Sequence, residues 1–582
     1  MRKITFKRTI SMIIAAGLMT SAFTGCGGSY EATDSSSREE STVAYTTSDE
    51  ASDSATESSK SKRESGAVYE TTEAAAEDWD NSMTQDAWYE EEDEDYGYDS
   101  REYAHVSEND FIATSVESTS TFSADVDTAS YSNIRNYLNN GNTVPEDAVR
   151  IEEMINYFHY DYDEPAKGEP FSVNMEVDTC PWNEDHQLVM IGLKAKAIDT
   201  SKRKPTHFVF LIDTSGSMDE PNKLPLVKTA YIKLLNELDE NDTVSIVTYA
   251  GSDKVVLEGE CGANTDKIAE AIENLQAYGS TNGSAGINTA YDLAEEYFIK
   301  GGNNRVILAT DGDLNVGVTS EDGLTELITE KKESGIFLSV LGFGNDNLKD
   351  NKLEALADNG NGNYAFIDSV YEAKRVLVEE MGSTLETVAK DVKLQTTFDE
   401  NVVEKYRLIG YENRMMANED FDDDSVDGGE IGSGHEVTAL YEIIPTKNAD
   451  SFDNHILDLS IRYKAPQADE SKLLQYSCKS TGKSFDNNAS DNMLWVESVA
   501  ALGMFLKDSE YSGESSVALA RNLAEKTSYR DDALRVEYMS LLDKVEDNYG
   551  TAYSDYDDDY DDDYDYYDYD DSESDVNEIE AN

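Results

Sequence analysis

The sequence of 582 residues is 39% hydrophobic and 29% charged, which supplies a sizeable buried core and, by length, about three or four domains. Against 47 Lys+Arg stand 120 Asp+Glu, a formal net charge of −73. A field of that sign repels polyanions before contact, which excludes nucleic acid as a partner and basic-patch binding to anionic lipid.

Arg2, Lys3, Lys7 and Arg8 precede an apolar run from Ile10 to Phe23, followed by Thr24, Gly25 and Cys26. A basic start and an apolar stretch of this length read as a secretory signal over 1–25, too short for a stable membrane span. Its Thr-Gly-Cys ending resembles a bacterial lipobox, which implies that Cys26 is lipid-modified and becomes the first mature residue. The expectation is an extracytoplasmic protein, lipid-anchored to the bacterial cell membrane and touching it only through that anchor. Residues 26–110 are rich in Ser, Thr, Glu and Asp, with net −20 over 27–110, and read as a disordered acidic stalk.

In the N-terminal flank, 111–203, helical periodicity covers Asp127 to Asn139 and Pro145 to Tyr157. Strands follow: Phe171, Val173, Met175 and Val177 alternate with polar residues, and Leu188 to Leu193 is a second one. Over 204–382 apolar strands alternate with amphipathic helices. The strands are Phe208–Ile212, Val244–Tyr249, Val255–Leu257, Val306–Ala309, Phe337–Leu341 and Tyr364–Ile367. Leu224, Val227, Tyr231, Leu235 and Leu238 share one helix face, as do Ile287, Tyr291, Ala294 and Phe298. This pattern predicts a doubly wound, Rossmann-like α/β domain on a mostly parallel six-stranded sheet. Period-2 strands return in 383–488, at Val392 to Phe398, Val437 to Ile443 and Leu457 to Tyr463. Neither flank has enough strands alone, so one β-sandwich built from both, with the α/β domain inserted, is expected. Residues 489–546 read as a helical C-terminal subdomain of closing helices with Met493, Leu494, Leu502, Phe505, Leu534, Leu541 and Leu542 as core. The Asp/Tyr-rich tail, 547–582, carries net −16 and reads as disordered by its own repulsion.

Apart from Cys26, the cysteines are Cys180, Cys261 and Cys478. Their wide spacing favours free buried thiols over a single Cys180–Cys478 bridge and builds no metal knuckle. Asp420, Asp422 and Asp424 fail the EF-hand pattern, because Ser425 and Ile431 stand where Gly and Glu are required. That stretch reads as an acidic surface loop.

The first α/β strand runs into Asp213-Thr-Ser215-Gly-Ser217, and in an open parallel sheet ligands bind beyond the carboxyl ends of strands. The Gly279-Ser-Thr281-Asn-Gly283 loop precedes the Ile287 helix, and Asp311 ends the strand Val306–Ala309. One edge of one sheet thus collects Asp213, Ser215, Ser217, Thr281 and Asp311. These hard oxygen donors suit Mg²⁺, Mn²⁺ or Ca²⁺ and not zinc. Each residue also has an ordinary role as a helix cap or turn former.

This constellation resembles the metal-ion-dependent adhesion site (MIDAS) of von Willebrand factor type A domains over about 204–382, strand order 3-2-1-4-5-6 included. The resemblance implies that Ser215 and Ser217 ligate a divalent cation directly, Mg²⁺ before Mn²⁺ or Ca²⁺. Thr281 would join when ligand binds, and Asp213 and Asp311 would act largely through waters. Cys180-Pro-Trp-Asn183, Gly301 to Asp313, Leu341-Gly-Phe-Gly344 and Leu408 to Asn413 further resemble segments of bacterial YfbK-type lipoproteins over about 110–546. The function so implied is a surface lipoprotein that binds a carboxylate-presenting protein through the metal. The alternative is an envelope scaffold or assembly factor whose metal is structural and whose flanks make the contacts. No His-Glu-x-x-His, Gly-x-Ser-x-Gly or P-loop is present, and the expectation is no enzyme.

Overall fold

The structure is a computed structural model, and it describes residues 100–199, 203–280, 283–312, 321–447, 455–479 and 489–554. All fall within the single unit Glu92–Asn582. Cys26, the signal segment and most of the stalk and tail lie outside the described residues.

The chain begins with β1 (Ile112–Ala113), β2 (Thr119–Ser123), α1 (Ala129–Asn139), α2 (Ile151–Asn156), β3 (Phe171–Thr179) and β4 (Gln187–Ala195). The α/β domain follows: β5 (Thr206–Asp213), α3 (Leu224–Leu234), β6 (Thr243–Tyr249), β7 (Asp253–Cys261), α4 (Thr265–Glu273) and α5 (Gly283–Glu296). It continues through β8 (Asn303–Thr310), α6 (Glu321–Glu333), β9 (Phe337–Gly342), α7 (Asp350–Asn359), β10 (Tyr364–Phe366), α8 (Val370–Lys374) and α9 (Met381–Leu385). The second flank holds β11 (Thr387–Phe398), β12 (Val403–Ile409), β13 (Met415–Met416), β14 (Gly429–Gly432), β15 (Glu436–Pro445), β16 (His455–Lys464) and β17 (Ser471–Lys479). It closes with α10 (Asp491–Leu506), α11 (Val517–Ala524) and α12 (Ala533–Ser554).

The α/β sheet has the order β10-β9-β8-β5-β6-β7, with β7 antiparallel and every other pairing parallel. Successive side chains of a strand point to opposite faces. Phe208, Phe210 and Ile212 of β5 accordingly join one buried cluster with α3 and α4, while Val209 and Leu211 join another with α5 and α7. That two-sided burial is why β5 reads as an unbroken apolar run. Phe298 departs from expectation. It lies beyond the end of α5 and is 41% exposed, because the helical register that seats Ile287, Tyr291 and Ala294 stops at Glu296.

The remaining strands form two sheets, β1-β12-β15-β4-β3 and β13-β2-β11-β16-β17, each with strands from both sides of the α/β domain. Side chains of both sheets meet in one cluster that includes Phe122, Val189, Ile191, Leu394, Tyr441 and Leu459. The closing helices have no core of their own, in contrast to a separate helical subdomain. Apolar on most sides, α10 is sandwiched into a cluster that also contains Tyr131, Ile134, Met154 and Phe158 from α1 and α2. Of the core expected in these helices, Leu494, Phe505 and Leu534 are only half-buried.

Two boundaries differ from the sequence reading. Residues 100–110 are ordered rather than stalk: Arg101 stacks 3.4 Å above the Tyr137 ring, and Asn109 Nδ2 donates to the carbonyls of Leu408 and Gly410. Glu102 bridges to the α/β domain, donating its N–H to Leu348 O at 2.9 Å and accepting from Asp350 N at 3.0 Å. At the other end α12 runs to Ser554, eight residues into the expected tail. Asn548 Nδ2 donates to Leu138 O, and the Tyr549 hydroxyl accepts from Val144 N, so the helix has something to lie on. Cys180, Cys261 and Cys478 are free thiols; Cys180 and Cys478 are buried in different clusters, and Cys261 is half-buried at the end of edge strand β7.

The acidic 418–430 loop uses its carboxylates internally. Asp422 pairs with Arg462, Asp423 accepts from Ser425, and Lys393 Nζ donates to the carbonyls of Asp420 and Asp423. A buried acid with a different fate is Glu152 in α2. Its Oε2 has no hydrogen-bond partner among the described residues, and burial, with Glu412 nearby, pushes its pKa up to about 7. An acid that holds its proton more tightly when folded contributes stability below its unfolded pKa and loses it as pH rises through the folded value. Between pH 5 and 8 the native protein should therefore lose about 1–3 kcal/mol relative to Glu152→Gln, which cannot ionise. Urea unfolding at the two pH values measures this; parallel slopes in both proteins would refute it.

Candidate metal site

The site lies at the carboxyl end of β5, between the loops that follow β5 and β8. Asp213, Ser215 and Asp311 are buried, whereas Ser217 is exposed. Asp213 Oδ1 accepts the Ser215 N–H at 2.8 Å, folding the loop back onto its own strand end. Its Oδ2 accepts the Thr310 hydroxyl at 3.2 Å, which ties β5 to β8. Burial pushes the Asp213 carboxyl up to about 6; the Ser215 and Thr310 hydrogen bonds oppose this and the Asp311 charge adds to it. The hydroxyls of Ser215 and Ser217 approach to 3.0 Å.

The loop expected to carry Thr281 is held against the first one. Tyr278 N donates to Thr214 O at 2.8 Å, and Gly216 N donates to Gly279 O at 3.0 Å. A Cβ at Gly216 would stand 3.2 Å from that carbonyl, so the contact favours glycine there. Thr281 itself lies outside the described residues. Four of the five expected residues are thus among the described ones, and two hydrogen bonds hold Tyr278 and Gly279, just before the fifth, against their loop.

Sequence reasoning missed a cation in the same place. Lys223 is buried, with Nζ 3.3 Å from Asp311 Oδ2 and 2.8 Å from Asp346 Oδ1. Burial opposes its charge, but the Asp346 and Asp311 contacts outweigh that and raise its pKa. Its stem crosses Gly344, where φ is +87° and a Cβ would meet Lys223 Cε at 2.5 Å. The available signal was Leu341-Gly-Phe-Gly344, whose second glycine is needed both for backbone conformation and for space.

No group of three or more His, Cys, Asp and Glu side chains suited to a metal occurs among the described residues. The present set has only two carboxylates and takes its other donors from hydroxyls. A cavity of about 560 Å³ lies elsewhere, lined by Asp125, Asp127, Arg305, Arg414, Glu430 and His435. There Arg414 already compensates Asp358 at 2.6 Å, Asp127 at 3.2 Å and Asp125 at 3.6 Å.

A mixed, mainly parallel sheet with this loop geometry defines a von Willebrand factor type A domain, and the family model so described matches residues 208–380. Domains of this class mediate protein interactions and commonly bind a divalent metal. The model described as "Uncharacterized protein YfbK, C-terminal" matches 383–547, and one described as "von Willebrand factor" matches 98–190. Uncharacterized protein YfbK of Escherichia coli (strain K12) is 39% identical over 450 residues, 73% of this chain and 78% of that protein. The chain belongs to the YfbK family. Human inter-alpha-trypsin inhibitor heavy chain H3 is 31% identical over 176 residues, 29% of this chain and only 19% of that protein, so the likeness is confined to one region. A solved von Willebrand factor type A protein from Catenulispora acidiphila is 15% identical with a TM-score of 0.38, covering 64% of this chain and 89% of that one.

Proposed function

We propose that this is a lipid-anchored, extracytoplasmic protein that binds an acidic protein partner through a divalent cation held by Asp213, Ser215, Ser217, Thr281 and Asp311. The observation that carries the reading is the 3.0 Å approach of the Ser215 and Ser217 hydroxyls beside two buried carboxylates. Hydroxyl and carboxylate oxygens are hard donors of the kind that Mg²⁺, Mn²⁺ and Ca²⁺ take. When bound, the ion supplies an electrophilic position that a partner's carboxylate completes. Asp213 orients Ser215 through its N–H, and Thr310 fixes Asp213. The two flank sheets would then act as one β-sandwich carrying the inserted domain, and Cys26 would attach the whole to the membrane.

Calorimetric titration of Mg²⁺ should show one saturable site that Asp213→Ala/Ser215→Ala abolishes while the fold persists. Heats unchanged by the double substitution would refute the reading, with the acidic tail as the source of signal. A scaffold role with a structural metal finds support in the buried ion pairs that fasten the α/β domain to the first flank, such as Arg150 to Asp350 at 2.7 Å. In that case EDTA would lower thermal stability strongly yet leave partner binding intact.

A further inference from the structure

We propose that Lys223 is a built-in counter-ion of the metal site, one that weakens its hold on the cation and strengthens the loaded site's hold on an acidic ligand. The inference rests on the metal-binding reading above and deepens it. Three segments meet at this side chain: its own loop before α3, Asp311 at the end of β8, and Gly344 to Asp346 after β9. The arrangement is built rather than incidental. The ammonium is buried, its stem fills the space that Gly344 leaves open, and the Asp346 carbonyl is in turn held by the Ser100 hydroxyl.

Charge then decides the behaviour. Two buried carboxylates, Asp213 and Asp311, would neutralise Mg²⁺ alone. Lys223 adds one positive charge beside them, only partly offset by Asp346, whose carboxylate is more than half exposed. An entering ion must share Asp311 with a buried ammonium, and like charges a few ångströms apart in a poorly hydrated site repel strongly. Compared with a site lacking the lysine, the loaded state then holds a carboxylate from outside more strongly. The lysine thus exchanges cation affinity for anion affinity. Asp346, on the exposed side of the ammonium, draws it away from Asp311 and so moderates the effect.

Mg²⁺ titration into the full chain tests this in three variants. Lys223→Met should bind Mg²⁺ at least about tenfold more tightly than the native protein. Asp346→Asn should bind it more weakly, because the ammonium then rests on Asp311 alone. Asp219→Asn, at an exposed acid of the same loop, measures the effect of losing one rim charge, and the Asp346→Asn change should exceed it. Acetate added to the Mg²⁺-loaded protein should bind the native site more tightly than the Lys223→Met site. Native binding that is lost in Asp213→Ala/Ser215→Ala but unchanged or weaker in Lys223→Met would overturn the counter-ion role alone. An absence of native binding would instead overturn the metal reading. Should Lys223→Met fail to fold, Asp346→Asn against Asp219→Asn still decides: equal changes refute the proposal.

Discussion

Replacing Arg135 by Met is expected to destabilise the protein by about 3–5 kcal/mol, because it leaves the buried Asp368 carboxylate without its cation and Glu372 with Arg375 alone. Arg135 on α1 is fully engaged: Nε and Nη2 grip Asp368 at 2.7 and 2.6 Å, Nη2 also reaches Glu372 at 2.7 Å, and Nη1 reaches Glu537 at 3.3 Å. Nη1 further donates to the Tyr157 hydroxyl, which itself donates to Glu372 at 2.6 Å. Against burial, which pushes it up, Arg375 and Arg135 hold the Glu372 carboxyl down at about 2. One side chain therefore joins the first flank, the β10–α8 corner of the α/β domain and helix α12. Arg135→Lys should recover only part of the loss, since an ammonium cannot fork onto Asp368 while reaching Glu372. Urea denaturation decides the matter; a loss below about 1 kcal/mol for Arg135→Met would contradict the network's importance.

The second large effect concerns Trp495, fully buried where α10 meets the N-terminal helices. Its ring stands edge-on to Phe158 at 5.2 Å and Tyr538 at 5.0 Å, with the Arg535 guanidinium 4.7 Å from its centre. Trp495→Ala should cost about 3–5 kcal/mol in transfer energy and cavity. The indole Nε1 has no hydrogen-bond partner among the described residues, so Trp495→Phe keeps most of the packing and should cost far less. Equal losses for Ala and Phe in the same denaturation assay would show that the N–H, and not the ring volume, matters.

The α/β domain was legible because β5, β8 and β9 are buried on both faces and read as unbroken apolar runs. Its candidate site residues Asp213, Ser215, Ser217 and Asp311 were legible because they sit at or directly after the ends of such runs. Several flank strands were not. In β12, Val403–Ile409, the charged Lys405 and Arg407 interrupt the alternation, yet Arg407 is buried and paired with Glu442 at 2.8 Å. In β2 the residues are mostly Ser and Thr, and only pairing with β11 and β13 makes them a strand. Edge strand β17, with Leu473 46% exposed, has no clean pattern to read. Lys223 was invisible for a different reason: a single lysine in a loop is ordinary until the third dimension sets it on Asp311.

The bridge between Glu102 and the loop before α7 has a mechanical consequence. A pull applied to the chain at Ser100 does not first meet an apolar core. It meets a few polar contacts: the Ser100 hydroxyl on Asp346, Lys349 on Ser100 O and Glu102 at 2.8 and 2.7 Å, and two backbone hydrogen bonds. Asp346 is also the residue that shares the Lys223 ammonium with Asp311. A pull at Ser100 would therefore reach Asp346, whose carboxylate meets Lys223, through hydrogen bonds alone and with the apolar core still intact.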